Sequence, residues 1–183
     1  MSKSKSQTAG EGAMYRVYLG LGSNMGGRAE NLATALSGIS EICTVISVSS
    51  VYETEPLGMT GEADFLNMAA AIDTTDDPPL LLARLKKIEK RMGRKTRGRH
   101  LPRIIDIDIL LYRGMAYEDN LVKVPHPELH NRRFALEPLC EIAPAAVHTT
   151  MEKTVGWLLR KCRDTHRVVN TGELAGFTHD HAI

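Results

Sequence analysis

The order of periodic segments predicts an α+β domain: a ferredoxin-like α/β plait, that is, a βαββαβ antiparallel sheet with helices on one face, followed by a C-terminal helical extension. Three observations carry this expectation. Strand-like and helix-like stretches alternate in that order between residues 15 and 112. A chain of 183 residues has room for one ordinary core and hardly for two. Its composition, 43% hydrophobic and 25% charged, is that of a globular chain and disfavours the disordered, collagen-like and membrane classes.

Tyr15 to Leu21 reads as a strand running into the glycine turn GLGSNMGG, and Arg28 to Ile42 has helical spacing through Leu32, Ala35, Leu36 and Ile39. Two strand-like stretches follow, Thr44 to Glu53 and Phe65 to Thr75, separated by a loop with Pro56, Gly58 and Gly61. The second helix has Asp77 as N-cap and Pro78 and Pro79 in its first turn. Its apolar stripe is Leu81, Leu82, Leu85, Ile88 and Met92, and Gly93 stops it. Ile104 to Tyr112 reads as a buried strand. A small strand at Val122 to Val124 and helices at Arg132 to Ile142 and Thr154 to Arg163 form the extension. The expected organisation is a disordered lead over 1–13, one domain over 14–165 and a flexible tail over 166–183.

Cys43, Cys140 and Cys162 lie far apart with no C-x-x-C spacing, which favours neither a disulfide framework nor a zinc cluster and points to a reducing, cytoplasmic setting. Lys3 and Lys5 are followed by polar residues instead of an apolar stretch, so a secretory signal is not expected. No run approaches the roughly 18 apolar residues of a membrane helix.

The formal charge of +1 hides an uneven distribution. Ten of the 23 Lys and Arg residues fall between Arg84 and Arg103 with one acid, Glu89, so a local +9 stands against −8 elsewhere. Such a segment draws a polyanion to one place without making the whole surface sticky.

Beside it lies the strongest chemical signal, Asp106 and Asp108 within IIDIDILLY. Alternation along a strand turns both carboxylates to one face and Ile105, Ile107 and Ile109 to the other. Divalent cations bridging phosphate oxygens are one natural partner, and hard oxygen donors favour Mg²⁺. Solvated aspartates, or an ion pair to Arg103, are the alternatives. In RMGRKTRGRHLPR, Arg94 and Arg103 suit bidentate contact with phosphate, and Gly93 and Gly98 suit a loop that closes over it. Cations at a helix end that answer its dipole are the plainer reading. Downstream, VPHPELHNRRF offers His126, His130, Arg132 and Arg133. Upstream, TEPLG and DFLN offer backbone groups and Asn67 for the amide edge of a heterocycle, with Phe65 to stack on it. The glycine turn has no G-K-[ST], and Met25 stands where a dinucleotide fingerprint needs its third glycine. It reads as a tight strand-to-helix turn at the edge of a site.

Taken together, GLGSN, VYETEPLG, DFLN, PRIIDIDILLY, VPHPELHNRRF and LEPLCEIAP resemble, in order and spacing, the 6-hydroxymethyl-7,8-dihydropterin pyrophosphokinase family of folate biosynthesis, over roughly Tyr15 to Arg163. The resemblance implies transfer of the pyrophosphoryl unit of ATP to the hydroxymethyl oxygen of the reduced pterin, with release of AMP. It implies two Mg²⁺ ions on Asp106 and Asp108, triphosphate contacts from Arg94 and Arg103, and phosphate contacts from His126 and Arg132. Lys86 and Glu89 match positions near the nucleotide, and Ile109 and Lys123 positions that line adenine. For the pterin it implies backbone groups of Thr54, Pro56 and Leu57, the amide of Asn67, and an aromatic sandwich of Phe65 and Phe134. No nucleic acid, membrane or oligomer is required. The chain departs from the family pattern at His100 and Leu101, which bears on loop closure, and at Pro127, which replaces an aromatic of some members; none of the three touches the metal or phosphate chemistry.

Two other classes fit the residue types. A plait with a basic segment suits RNA binding, but only 5% of residues are aromatic and none forms a base-stacking RNP1-like pattern. Paired aspartates alone also suit a metal-dependent hydrolase.

Overall fold

A computed structural model describes residues 13–56, 63–94 and 102–177. Almost all of the expected N-terminal lead, together with Leu57, Gly98, His100 and Leu101, lies outside the described residues. The first half runs β1 (Tyr15–Ser23), α1 (Arg28–Ser40), β2 (Thr44–Val48), β3 (Val51–Thr54), β4 (Phe65–Thr74), α2 (Pro78–Arg91) and β5 (Asp106–Tyr112). The second half runs β6 (Tyr117–Glu118), β7 (Lys123–Val124), a 3₁₀ turn (Leu129–Asn131), α3 (Arg133–Ile142), β8 (Val147–His148), β9 (Lys153–Thr154), α4 (Val155–Lys161) and β10 (Val168–Gly172).

The sheet is antiparallel, in the order β10-β3-β4-β1-β5, with β2 also paired to β4. α2 starts where its cap chemistry requires: the Asp77 side chain accepts from the backbone N–H of Leu80 at 3.0 Å, and prolines fill positions whose N–H groups would have no partner in the helix. Leu81, Leu85 and Ile88 of α2 and Leu32, Leu36 and Ile39 of α1 then bury against Val17, Leu19, Leu21, Ile105, Ile107 and Ile109.

The structure departs from the sequence expectation, or adds to it, in three ways. The expected strand Thr44–Glu53 is two strands broken at Ser49. This residue is buried with its hydroxyl satisfied: it accepts from the N–H of Ala69 at 2.8 Å and donates to the carbonyl of Ser50 at 2.7 Å, beside the main-chain bond from its own N–H to the Ala69 carbonyl at 2.9 Å. Helices cover both faces of the sheet: α1 and α2 one face, α3 and α4 the other, where Leu136, Leu139, Val155 and Leu158 form a second core with Tyr18, Ala69, Ala71 and Leu110. Part of the expected flexible tail is strand β10, paired to β3, with Leu174 buried beyond it and Phe177 packed on the first core. The main-chain ladder to β3 supplies that order; the mostly exposed side chains of β10 carry no apolar alternation to announce it.

Candidate active site

The register of the three central strands builds the site. Gly22 of β1 lies opposite Asn67 of β4 on one side and Asp106 of β5 on the other, and Gly20 lies opposite Ala69 and Asp108. The two glycines therefore form a floor without side chains between the amide and the acid pair. A Cβ on Gly22 would stand 2.5 Å from Asn67 Oδ1, closer than two such atoms can approach. Above this floor, α3 brings Phe134 and Ala135, enclosing a cavity of about 670 Å³.

One wall of the cavity is apolar and amide-bearing. Phe65, Asn67, Met68, Thr54 and Phe134 line it, and Asn67 donates through Nδ2 to the buried hydroxyl of Thr54 at 2.7 Å. That bond fixes which way the amide points. The guanidinium of Arg132 sits over the Phe134 ring, 5.9 Å from its centre.

The opposite wall is charged. Arg94 Nη1 donates to Asp106 Oδ1 at 2.5 Å and also to Glu89, while Arg103 Nη1 donates to Asp106 Oδ2. Lys86 Nζ bonds Glu89 at 2.8 Å and lies 3.9 Å from Asp106. Burial pushes the Asp106 carboxyl up, but Arg94, Arg103 and Lys86 outweigh it and hold the group below the ordinary carboxylate range. Asp108 is placed differently. Burial and the neighbouring Asp106 charge push it up to about 6, and its nearest cation, Arg132 Nη1, is 3.7 Å away.

Glu89 organises this wall from behind. Its carboxylate is 2% exposed and accepts from the N–H of Ile107 at 2.7 Å as well as from Arg94 and Lys86, tying the end of α2 to the start of β5. Gly93, at φ +88, turns the chain so that Arg94 returns toward the acids. Arg103 is pinned by Asn24, whose Oδ1 accepts from the Arg103 N–H at 2.7 Å and whose own N–H donates to the Arg103 carbonyl at 3.1 Å.

His126 and Arg132 close the phosphate end. His126 Nδ1 accepts from the N–H of Glu128 at 3.1 Å, which leaves the proton of the neutral ring on Nε2, 3.3 Å from Arg132 Nη1. Burial and the Arg132 charge lower this imidazole to about 4, so it is neutral near pH 7. Two donors thus converge on one point, as an anion receptor requires.

Of the residues singled out in the sequence, Thr54, Phe65, Asn67, Lys86, Arg94, Arg103, Asp106, Asp108, His126, Arg132 and Phe134 meet at this cavity, and so does Pro127. Several of the other described residues do not line it. The Ile109 side chain packs in the first core, because strand alternation turns Leu110 to the cavity in its place. Glu89 lies behind the arginines, Lys123 pairs with Glu118 at 2.8 Å on the surface, Pro56 stands outside the lining, and Leu57 falls outside the described residues. Arg133 pairs with Glu137 at 2.9 Å, and His130 is also absent from the lining. Sequence reasoning missed the pinning role of Asn24, which acts across 79 residues; its one trace is its place in the GLGSN turn.

A family model described as 7,8-dihydro-6-hydroxymethylpterin-pyrophosphokinase matches residues 18–144. A 2-amino-4-hydroxy-6-hydroxymethyldihydropteridine pyrophosphokinase of Aquifex aeolicus is 42% identical over 140 residues, 76% of this chain and 88% of its own. The Bacillus subtilis protein of the same name is 42% identical over 127 residues, 68% of this chain and 76% of its own. Among solved structures, Plasmodium falciparum HPPK-DHPS shares the fold at 19% identity with a TM-score of 0.63, over 80% of this chain and 43% of that one.

Proposed function

The chain belongs to the 7,8-dihydro-6-hydroxymethylpterin-pyrophosphokinase family, and we propose that its cavity transfers the pyrophosphoryl group of ATP to the hydroxymethyl oxygen of 6-hydroxymethyl-7,8-dihydropterin, giving the pterin diphosphate and AMP. The observation that carries this reading is the juxtaposition, across the bare Gly20–Gly22 floor, of a flat apolar wall bearing an oriented amide and a wall of arginines around two carboxylates.

The pterin lies between Phe65 and Phe134. Thr54 holds Asn67 Nδ2, so Asn67 Oδ1 remains to accept from the amino and ring N–H groups of the heterocycle. Backbone groups of Thr54, Pro56 and Leu57 read its remaining edge. ATP lies along the charged wall, with Lys86, Arg94, Arg103, His126 and Arg132 on its phosphates. Lys123 and the backbone of Ile109 border the adenine. Glu89 serves the nucleotide indirectly, by holding Arg94 and Lys86 in place.

The acid pair fits Mg²⁺ by its own chemistry. Two carboxylates face one cavity, and the one at Asp108 is poor in cationic partners and raised to about 6, as a group awaiting positive charge would be. Among the described residues no third carboxylate, histidine or cysteine joins them. Two ions held by Asp106 and Asp108 would therefore take their remaining ligands from phosphate oxygens and water, as Mg²⁺ readily does. Once bound, they would neutralise phosphate charge and lower the pKa of the attacking hydroxyl.

The protein's own part is positioning and charge compensation, which dominate phosphoryl transfer. The stacked pterin presents its hydroxymethyl oxygen toward the acid pair. Arg94 and Arg103, which bond Asp106 in this structure, are the guanidinium groups placed to hold the triphosphate, and Mg²⁺ on the acid pair would take over the neutralisation of Asp106. His126 Nε2–H and Arg132 donate to the same phosphate oxygen as negative charge builds. The plait of ferredoxin type with a C-terminal helical extension supplies the frame, and a cytoplasmic setting agrees with the free thiols of Cys43, Cys140 and Cys162. The RNA-binding alternative needs an open sheet face, whereas α3 and α4 cover that face here.

The test is substitution of the acids. Asp108→Ala and Asp106→Ala should each abolish Mg²⁺-dependent turnover while the proteins keep a cooperative melt. Wild-type rates in both would overturn the assignment of the metal site.

A further inference from the structure

The short segment between α4 and β10 lies beyond the region matched by the family model, which ends at residue 144, yet it bonds residues next in the chain to both aromatic walls of the cavity, Arg133 beside Phe134 and Asp64 beside Phe65. Its first anchor is Asp164, whose side chain is 4% exposed. Asp164 Oδ2 accepts from the N–H of Arg133 at 3.0 Å, and Oδ1 accepts from the N–H of His166 at 3.0 Å and contacts His166 Nδ1 at 2.5 Å. Arg133 is the first residue of α3, and the N-cap residue, Arg132, provides no side-chain cap. Asp164 therefore caps this helix from a distance, satisfying a donor the helix leaves over and placing a negative charge at the positive end of its dipole. The residues on either side of the capped amide are Arg132 and Phe134, both cavity walls.

The second anchor is Arg167. Its guanidinium bonds Asp64 and lies 3.8 Å from Glu55. Its N–H donates to Glu55 Oε2 at 3.1 Å, and its carbonyl accepts from the N–H of Glu55 at 3.2 Å. Glu55 follows Thr54 and Asp64 precedes Phe65, so one residue gathers both ends of the β3–β4 connection. Arg28 reinforces the same place, donating to the Asp64 carbonyl at 2.6 Å and pairing with Glu53 at 3.0 Å.

Exposed ion pairs alone contribute little to stability. What distinguishes this set is that a four-residue stretch, clamped at each end, links the α3 side of the aromatic gap to the β4 side. We infer that Asp164 and Arg167 are positioning residues that set the spacing of Phe65 and Phe134 for the pterin. This inference rests on the pyrophosphokinase reading.

The experiment compares Arg167→Ala, Arg167→Lys and Asp164→Asn with the parent full-length chain. It reads dissociation constants for 6-hydroxymethyl-7,8-dihydropterin and for α,β-methylene-ATP separately, together with melting and backbone amide exchange. Arg167→Ala should weaken pterin binding about threefold to fivefold and Asp164→Asn about tenfold, with the nucleotide constant unchanged. Arg167→Lys should recover part of the loss. Amide exchange should rise in residues 52–56, 63–68 and 132–136 and stay at parental rates in α2 and β5. Unchanged exchange in those three segments, or a parallel loss of pterin binding, nucleotide binding and melting temperature, would overturn the positioning role. If the parent itself bound no pterin, the functional reading would fall, and the exchange pattern would still decide whether the strap orders both walls.

Discussion

Asp106 and Asp108 stand two positions apart on β5, and their surroundings assign them different work. Asp106 is met by Arg94, Arg103 and Lys86, whereas Asp108 has Arg132 at 3.7 Å. The alternation of IIDIDILLY makes their shared face legible in the residue order itself, because a period of two is local. The partners are less legible: Asn24 meets Arg103 across 79 residues and Glu89 meets Ile107 across 18, distances over which one sequence carries no pairing signal. Glu89 illustrates the consequence. The family resemblance implies a place near the nucleotide for it, and the structure makes it a buried acceptor for Ile107, Arg94 and Lys86, so Glu89→Ala should destabilise the protein by about 3 kcal/mol and lower turnover as well, read by denaturant melts and steady-state rates. His126 makes a second prediction. Its folded pKa of about 4 lies below the ordinary histidine value, so the unfolded chain binds the extra proton first on acidification. Its contribution to stability is complete above about pH 6.5 and is lost as pH falls toward 4. His126→Gln should flatten that part of a stability-versus-pH curve, and NMR of the parent imidazole should show a midpoint near 4.

At the scale of elements, β1 makes the least expected contribution. Its glycines resemble a nucleotide loop in sequence but act as a floor, since any side chain on Gly22 would strike Asn67. Gly22→Ala should displace Asn67 from Thr54 and raise the KM for pterin by about 100-fold, with a much smaller change for ATP, as expected when a binding group moves by an ångström. α2 is readable to within a residue or two because Asp77, two prolines and Gly93 are local signals with local causes. The break at Ser49 and the strand β10 are not, because a hydroxyl bonded to Ala69 and a ladder to β3 are decided by tertiary neighbours.

The whole molecule is a sheet with a core on each face, and the cavity belongs to the face that α3 and α4 cover. Sequence patterning gives the βαββαβ succession of the central unit, whose α1 and α2 share one face, but not the face that α3 and α4 of the extension take, since an amphipathic helix does not declare which side of a sheet it will bury. The uneven charge has a spatial meaning at this scale. Arg94, Arg103 and Lys86 from the basic segment converge on Asp106, so the electrostatic pull is local and suited to one triphosphate. Association with ATP should accordingly weaken as salt rises, with a modest slope fitting a few phosphate contacts, measurable by titration from about 50 to 200 mM salt.

The proposed reaction joins ATP and a reduced hydroxymethylpterin in one cavity. Its most direct test is to follow the nucleotide by ³¹P NMR with Mg²⁺, in the presence and absence of 6-hydroxymethyl-7,8-dihydropterin. AMP and a pterin diphosphate should form in equal amounts, and only when the pterin is supplied; ADP as the product, or AMP released at the same rate without pterin, would contradict the proposed reaction.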